Sequence, residues 1–200
     1  MRIDLPMRLE PVILTGAAVR LIPLTPDHVD ALARVGLEEA LWRWQPAPII
    51  DLDGMRAYVL TALADQERGL ALPFAIVDRA SERIIGSTRY MDIAMAHRRL
   101  EIGATWITGA HQRTGANTDA KRLLLAHAFD SLGIERVVFK TEALNAQSRT
   151  AIARLGAVEE GVFRKHLIAA SGRPRDMVYF SILDTEWPAV KARLHRDPAD

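Results

Sequence analysis

The sequence contains no cysteine. This absence excludes disulfide bonds, metal sites built on thiolates and enzymes that use a cysteine nucleophile. A small secreted scaffold held together by disulfides is excluded for the same reason. The chain therefore cannot carry an acyl group on a thiol of its own.

The chain also lacks a large excess of charge of either sign. Its 26 lysine and arginine residues stand against 25 aspartate and glutamate residues, which gives a formal net charge of +1. A protein that is held on duplex DNA mainly by bulk charge carries a stronger positive excess. The balance therefore argues against nucleic acid as a partner.

Long hydrophobic runs are missing as well. A helix that crosses a bilayer needs roughly 20 consecutive apolar residues, and no stretch of this sequence approaches that length. Charged residues and prolines interrupt the apolar residues of segment 1–16. We therefore expect no membrane partner and a cytoplasmic location. We also expect a single domain, 1–200, because a chain of 200 residues is long enough to bury one sizeable core.

Helical and strand patterns alternate along the chain without an internal repeat or a low-complexity tract. Thr25 is placed to cap a helix, with Pro26 in its first turn and Gly36 beyond its end. Gly133 and Gly156 are placed to end two later helices in left-handed conformation. The order of elements predicts an α/β fold, one mixed sheet covered by helices. The predicted strands lie in 18–24, 72–93 (two strands), 100–107, 135–142 and 160–183 (a hairpin that turns at 171–174), and the predicted helices lie in 25–36, 51–69, 111–129 and 145–156.

The stretch HQRTGANTDAKRLLLAHAF, residues 111–129, places a short polar loop between a buried strand and a helix. The first backbone N–H groups of a helix have no partner within it and lie at the positive end of its dipole, so they favour an anion such as phosphate. The loop has neither the G-x-G-x-x-G pattern nor the Gly-Lys-Ser/Thr of a nucleotide-binding loop. Taken alone, it also fits an ordinary strand-to-helix turn capped by Asn117 or Thr118.

Three motifs together carry a family resemblance. Residues 112–117, QRTGAN, form a Q/R-x-x-G-x-G/A-like run. Residues 145–166 follow N-x-x-S-x-x-A-x-x-x-x-G-A with E-G and R beyond it, and residues 172–183 follow G-x-x-R-D with F-S-I beyond it. With these motifs the sequence resembles the GNAT superfamily of acyl-CoA-dependent N-acetyltransferases, in particular its RimJ/RimL-like branch. The resemblance covers the last half of the chain in detail and the first half in element order.

The resemblance implies a GNAT-like mixed, mostly antiparallel sheet flanked by helices, with a coenzyme-binding core at about residues 100–160. It implies acetyl-CoA as co-substrate, with its pyrophosphate on the polar loop. Asn117 departs from the small residue of the family pattern. Because asparagine tolerates left-handed backbone and can cap a helix, we expect the N–H groups to remain available, with the Asn117 side chain turned away from the phosphates. The coenzyme-binding residues that the resemblance implies are Trp106, Ile107, Gln112, Arg113, Thr114, Gly115, Ala116, Asn117, Thr118 and Asn145.

Two residues at the start of the helix in 145–156 have more than one interpretation. Asn145 fits a helix cap, and the resemblance adds a contact with the pantetheine arm. Ser148 shares a face with Ile152 and Leu155, so we expect its hydroxyl to point inward and to need a partner. A serine near a helix start commonly bonds to local backbone. The resemblance implies instead that Ser148 is the catalytic acid that protonates the departing thiolate.

Two carboxylates are candidates for the catalytic base. Glu101 opens the central strand and is the better placed to act on an incoming amine through water, while Glu142 ends the neighbouring strand. Taken singly, each also fits a solvated charge at a strand end. An α-amine with a pKa near 8 is about one-tenth neutral at pH 7, whereas a lysine is neutral only a few times in ten thousand. A site without a strong base therefore favours an α-amine as acceptor.

The histidines and tryptophans add little that is specific. The 6 histidines are scattered and form no H-E-x-x-H motif, so we expect no metal. Trp42 and Trp44 lie in a proline-bearing connection. They fit the hydrophobic core. The resemblance offers an alternative, because in GNAT enzymes this connection borders the acceptor cleft and the two rings could form a wall of it.

The sequence therefore predicts an N-acetyltransferase that moves acetyl from acetyl-CoA to a primary amine by direct attack. The amine belongs to a protein N-terminus or to a small molecule, and the protein is a monomer or a homodimer. A second hypothesis remains open, a coenzyme A-binding regulatory module without turnover.

Overall fold

The computed structural model describes residues 9–196, which form eight strands and six α-helices. The strands are β1 (Leu14–Thr15), β2 (Val19–Pro23), β3 (Leu72–Asp78), β4 (Arg83–Ala94), β5 (Arg99–Ile107), β6 (Arg136–Glu142), β7 (Val158–Ile168) and β8 (Pro174–Leu183). The helices are α1 (Val29–Gly36), α2 (Glu39–Trp42), α3 (Leu52–Glu67), α4 (Ala116–Ala126), α5 (Ala146–Leu155) and α6 (Trp187–Arg196). None of the helices within residues 9–196 combines the length and the apolar character needed to span a membrane.

The strands form one sheet in the order β1-β2-β3-β4-β5-β6-β8-β7. Every neighbouring pair is antiparallel except β5 and β6. A parallel pair needs a long crossover connection, and α4 supplies it between β5 and β6. The architecture confirms the predicted α/β class, a mixed and mostly antiparallel sheet flanked by helices.

The parallel pair separates after three residue pairs, of which Glu101 with Val138 is the last. Beyond that pair β5 stays on β4 and β6 stays on β8, but β5 and β6 no longer pair with each other. We call the gap between Ile102–Ile107 of β5 and Phe139–Glu142 of β6 the split. Backbone N–H and C=O groups need partners, so the facing edges of the split are places where an extended ligand can bond to the protein.

A bulge bends β5 beside the split. Ser87 of β4 pairs with Trp106, whereas Arg89 pairs with Gly103, so β5 has one extra residue between these pairs. Ala104 takes a left-handed φ of 47° within it. A bulge bends its strand and increases the local twist. The bulge therefore helps β5 to turn away from β6.

Apolar side chains cover both faces of the sheet. On one face α4 and α6 bury Leu124 and Leu194 over strand residues such as Phe139. On the other face α1 and α3 bury Leu32 and Met55 together with residues of β3 and β5. The split lies between these two layers, near the middle of the sheet.

The predicted strands and helices are confirmed, with corrections at the end of α1 and at the start of α4 and with three additions. Gly36 is the last residue of α1 rather than the residue after it. A Cβ added at Gly36 would meet the Trp106 ring at 2.6 Å and the Met55 side chain at 2.8 Å, so this glycine permits close packing. The sequence patterns did not predict β1, α2 or α6.

Candidate active site

The loop between β5 and α4 contains a series of backbone N–H groups that precede the first hydrogen bond of the helix. Arg113 and Gly115 take positive φ values of 61° and 81°. The first hydrogen bond of α4 runs from the Asp119 N–H to the Gly115 C=O at 2.9 Å, so the N–H groups of 113–118 precede the helical ladder. Left-handed residues in such a turn make a concave nest of N–H groups. The loop therefore has the geometry of an anion site, and exposed Arg113 adds a positive side chain.

The position of the helix start corrects one sequence interpretation. Gly115 is the N-cap residue and α4 begins at Ala116. Asn117 and Thr118 therefore lie inside the first turn, and neither caps the helix. The prediction of a cap at these residues was wrong because the left-handed position falls at Gly115, which has no Cβ to oppose it.

Several of the predicted coenzyme-binding side chains brace the loop or fill the core. The Gln112 side chain donates to the Ile107 C=O at 3.0 Å, and the Thr114 hydroxyl donates to the His111 C=O at 2.8 Å. The side chains of Trp106 and Ile107 are buried. Only the main chain of these two strand residues is therefore left for a ligand in the split.

Glu101 lies where the split begins, and it is not a solvated charge. It is 3% exposed, and its carboxylate lies 2.9 Å from Lys140 Nζ of β6. Burial raises the pKa of Glu101, and the Lys140 ammonium opposes that rise. Burial alone would lower the pKa of Lys140, but the Glu101 carboxylate outweighs it and the pKa is raised. The interpretation of Glu101 as a solvated strand end was wrong.

Glu142 is also buried and paired, against the same interpretation. It is 2% exposed and forms ion pairs with Arg175 at 2.7 Å and Arg173 at 2.6 Å. The Arg175 guanidinium also donates to the Trp44 C=O at 2.7 Å. The network ties β6 and β8 to the connection between α2 and α3, next to the end of the split.

The start of α5 contains the other predicted site residues. Asn145 caps the helix as predicted, because its side-chain oxygen accepts from the Ser148 N–H at 3.1 Å. Ser148 is only half-buried, whereas Ile152 and Leu155 on the same face are buried. The Ser148 hydroxyl has no hydrogen-bond partner among residues 9–196. The expected buried and satisfied hydroxyl was wrong, and the group is free to meet a ligand.

Trp42, the last residue of α2, and Trp44, in the connection that follows, differ in their surroundings. Trp42 is buried against the Trp106 ring, with centroids 5.5 Å apart, and its indole N–H donates to the Gly36 C=O at 2.7 Å. This confirms the core interpretation for Trp42. Trp44 is half-buried, and the Arg43 guanidinium lies 5.0 Å from the centre of its ring.

The sequence analysis missed Lys121. It lies on α4 and is 7% exposed, and its Nζ donates to the Thr105 hydroxyl at 2.6 Å. Burial lowers the pKa of Lys121 to about 7, although the Glu101 carboxylate raises it. The available signal was helical spacing, because Lys121 lies in the same stripe as Leu124 and Leu125, which are fully buried.

Comparison with known proteins adds independent findings. The family model described as "Acetyltransferase (GNAT) domain" matches residues 18–158. A Bacillus subtilis (strain 168) protein named as a ribosomal N-acetyltransferase, YdaF, is 33% identical over 108 residues, which are 54% of this chain and 58% of that protein. The chain thus matches just over half of that relative's length.

Solved structures show the same fold. A GCN5-related N-acetyltransferase from Brucella melitensis superposes with a TM-score of 0.89 at 32% identity, over 96% of this chain and 87% of that chain. RimJ from Mycobacterium smegmatis, solved in complex with CoA-disulfide, superposes with a TM-score of 0.79 at 24% identity, over 93% of both chains.

Proposed function

Because the chain belongs to the GNAT acetyltransferase family, on its RimJ/RimL-like branch, we propose that it transfers the acetyl group of acetyl-CoA to a primary amine. One observation carries the proposal: the N–H nest at the start of α4 follows β5 at the end of that strand that no longer pairs with β6. The nest suits the pyrophosphate of the coenzyme. The unpaired edges of the split suit the two amide groups of the pantetheine arm, which need backbone partners of their own.

The proposed contacts divide between main chain and side chain. The phosphates bond to the N–H groups of 113–118, and the Arg113 guanidinium adds charge-assisted bonds. Gln112 fixes the loop to β5. The pantetheine arm meets the main chain of Trp106 and Ile107 on one wall and Asn145 near the other. The M. smegmatis RimJ structure, which has the same fold, was solved in complex with CoA-disulfide, and this supports a coenzyme A compound as the ligand.

The proposed chemistry is direct attack of the neutral amine on the thioester. Glu101 accepts the amine proton through water, and backbone N–H groups beside the bulge of β5 stabilise the oxyanion. Ser148 gives the proton of its free hydroxyl to the departing sulfur. Direct attack agrees with the absence of cysteine, since no thiol is present to carry the acetyl group.

The proposed acceptor is the N-terminal amine of a protein. An α-amine is far easier to deprotonate than a lysine, so the buried and ion-paired Glu101 is a sufficient base. The name of the B. subtilis relative, a ribosomal N-acetyltransferase, supports a protein acceptor. We propose that the acceptor enters beside Trp44 and the β7–β8 hairpin. We also propose that the whole chain 1–200 acts in the cytoplasm as one acyltransferase domain.

Release of free thiol from acetyl-CoA tests the proposal. The panel contains peptides with a free N-terminus, the same peptides with a blocked N-terminus and a free lysine, and small amines. We expect rapid thiol release with free N-termini and little with blocked peptides. Tight coenzyme binding without release on any amine would contradict transfer and support the regulatory module instead.

A further inference from the structure

Lys121 brings an amine to the split from the helical layer beneath the sheet. Its Nζ lies 2.6 Å from the Thr105 hydroxyl of β5 and 5.9 Å from the centre of the Phe139 ring of β6. Both contacts lie beyond Glu101 and Val138, the last parallel pair. The lysine therefore contacts the two walls of the split at once. It does so between Glu101 and the loop of residues 108–115, which we call the phosphate loop after its proposed ligand.

The hydrogen bonds of this amine are incomplete. An ammonium has three donors, and Thr105 is the only hydrogen-bond acceptor of Nζ among residues 9–196. The Thr105 hydroxyl also shares a hydrogen bond of 2.7 Å with Thr88 of β4. No carboxylate of the described chain lies within ion-pair distance of Lys121, although Glu101 acts on it through space. A buried cation without an anion is costly, and this cost lowers the pKa of Lys121 to about 7; an anion that arrives with a ligand would stabilise the charged form.

We infer that Lys121 binds the coenzyme sulfur and stabilises the thiolate that departs when the thioester breaks. The inference rests on the proposed function, which brings a thioester into the split. In the step, the amine nitrogen forms a bond to the carbonyl carbon and the C–S bond breaks. The electron pair stays on sulfur, opposite the Lys121 ammonium. The amine proton leaves through water toward Glu101, and the thiolate paired with Lys121 takes up a proton, through Ser148 or from water, only as CoA leaves the site.

Proton affinities are consistent with such a pair. With the pKa of Lys121 near 7 and an ordinary thiol near 8.5, neutral amine plus thiol is favoured about thirtyfold before the charges interact. Attraction between opposite charges in contact contributes about 10³-fold at an effective dielectric constant near 20. The attraction between the charges therefore outweighs the difference in proton affinity, and the neutral fraction of Lys121, about one half at pH 7, can take the thiol proton directly.

The ultraviolet thiolate band of bound CoA gives a direct readout. It is measured as the difference between bound CoA and bound desulfo-CoA, which has no sulfur, at pH 7. We expect bound CoA to be mostly thiolate on the native protein and mostly thiol on the Lys121→Met variant. Lys191→Met, which removes a half-exposed lysine of α6, is the matched control and keeps the band. Ser148→Ala also keeps it, because the charge on sulfur depends on Lys121.

Turnover separates this role from packing. Lys121→Met is expected to reduce turnover of acetyl-CoA by about 10²-fold with little change in coenzyme affinity. The thiolate of a CoA analogue with a more acidic thiol leaves with less stabilisation. The variant should therefore recover most of its rate on the acetyl thioester of that analogue.

The possible results are distinct. Bound CoA that remains a thiol on the native protein overturns the inference without any variant. An undiminished thiolate band on Lys121→Met overturns it as well. Failure of the native protein to bind CoA at all would instead overturn the proposed function.

Discussion

Lys121 and Lys140 lie near the same carboxylate and differ in almost every other respect. Lys140 of β6 contacts Glu101 at 2.9 Å, and this partner raises its pKa. Lys121 of α4 has a hydroxyl for a partner, and burial lowers its pKa to about 7. A lysine at the start of the split, Lys140, thus has a paired charge, whereas a lysine farther along it, Lys121, has none within residues 9–196.

The difference separates two tasks within one site. Both strand carboxylates are paired inside the protein, Glu101 with Lys140 where the split begins and Glu142 with Arg175 at the far end of β6. Toward the phosphate loop, Lys121 and Arg113 have no carboxylate within ion-pair distance among residues 9–196. The paired charges hold the strands and the connection in place, and the unpaired donors remain available to a charged ligand.

The largest expected effect is on the pH dependence of stability at Lys121. Its pKa is 10.5 in the unfolded chain and about 7 in the folded one, so the unfolded state binds more protons between these values. Native stability should therefore gain, from this group, on the order of 4 kcal/mol as pH rises across the window. Lys121→Met lacks this gain, so its advantage over the native protein is largest near pH 7 and shrinks toward pH 10.

Denaturant unfolding at a series of pH values from about 7 to 10 measures the effect. Lys191→Met should follow the native curve, because its lysine is half-exposed. Parallel curves for the native protein and Lys121→Met would show that burial does not lower the pKa of Lys121. They would contradict the difference described between Lys121 and Lys140.

The next effect concerns the buried ion pair at the far end of β6. Glu142→Gln leaves Arg175, whose side chain is 4% exposed, as a buried cation without its carboxylate. We expect a loss of about 3 kcal/mol in the free energy of unfolding. Glu160→Gln is the matched control, because its partner Arg136 is one-third exposed, and it should lose less than about 1 kcal/mol. Similar losses for both variants would mean that burial of the pair adds nothing.

Arg113→Ala should have the smallest effect, and only on binding. Loss of charge-assisted bonds to phosphate is expected to weaken CoA about tenfold, with pantetheine, which has no phosphate, almost unaffected. Arg164→Ala, an exposed arginine of β7, serves as control. Calorimetric titration measures all three proteins with both ligands. Equal weakening of CoA and pantetheine would remove Arg113 from the phosphate site.

Most of the fold follows from local patterns, and this explains both the successes and the omissions. Runs of strand-forming residues bounded by turns predict β2 to β8, and helical spacing with end signals predicts α1, α3, α4 and α5. β1 has two residues and α2 has four, which is too short for a period to show. α6 buries Trp187, Val190 and Leu194 at helical spacing, so its signal was present and overlooked.

The candidate site divides in the same way. The strand–loop–helix geometry of the proposed phosphate loop was predictable because a strand, a glycine and a helix follow each other in sequence. The burial of Glu101 and Glu142 was not, since their partners Lys140 and Arg175 come from other positions in the sheet. The setting of Lys121 depends on the divergence of two strands, which no local pattern encodes.

A crystal structure of the protein with CoA tests the whole account most directly. The account predicts phosphate oxygens within hydrogen-bond distance of the N–H groups of 113–118, the pantetheine arm in the split, and the sulfur in contact with Lys121 Nζ. Phosphates bound away from the loop, or a sulfur that contacts neither Lys121 nor the walls of the split, would contradict it.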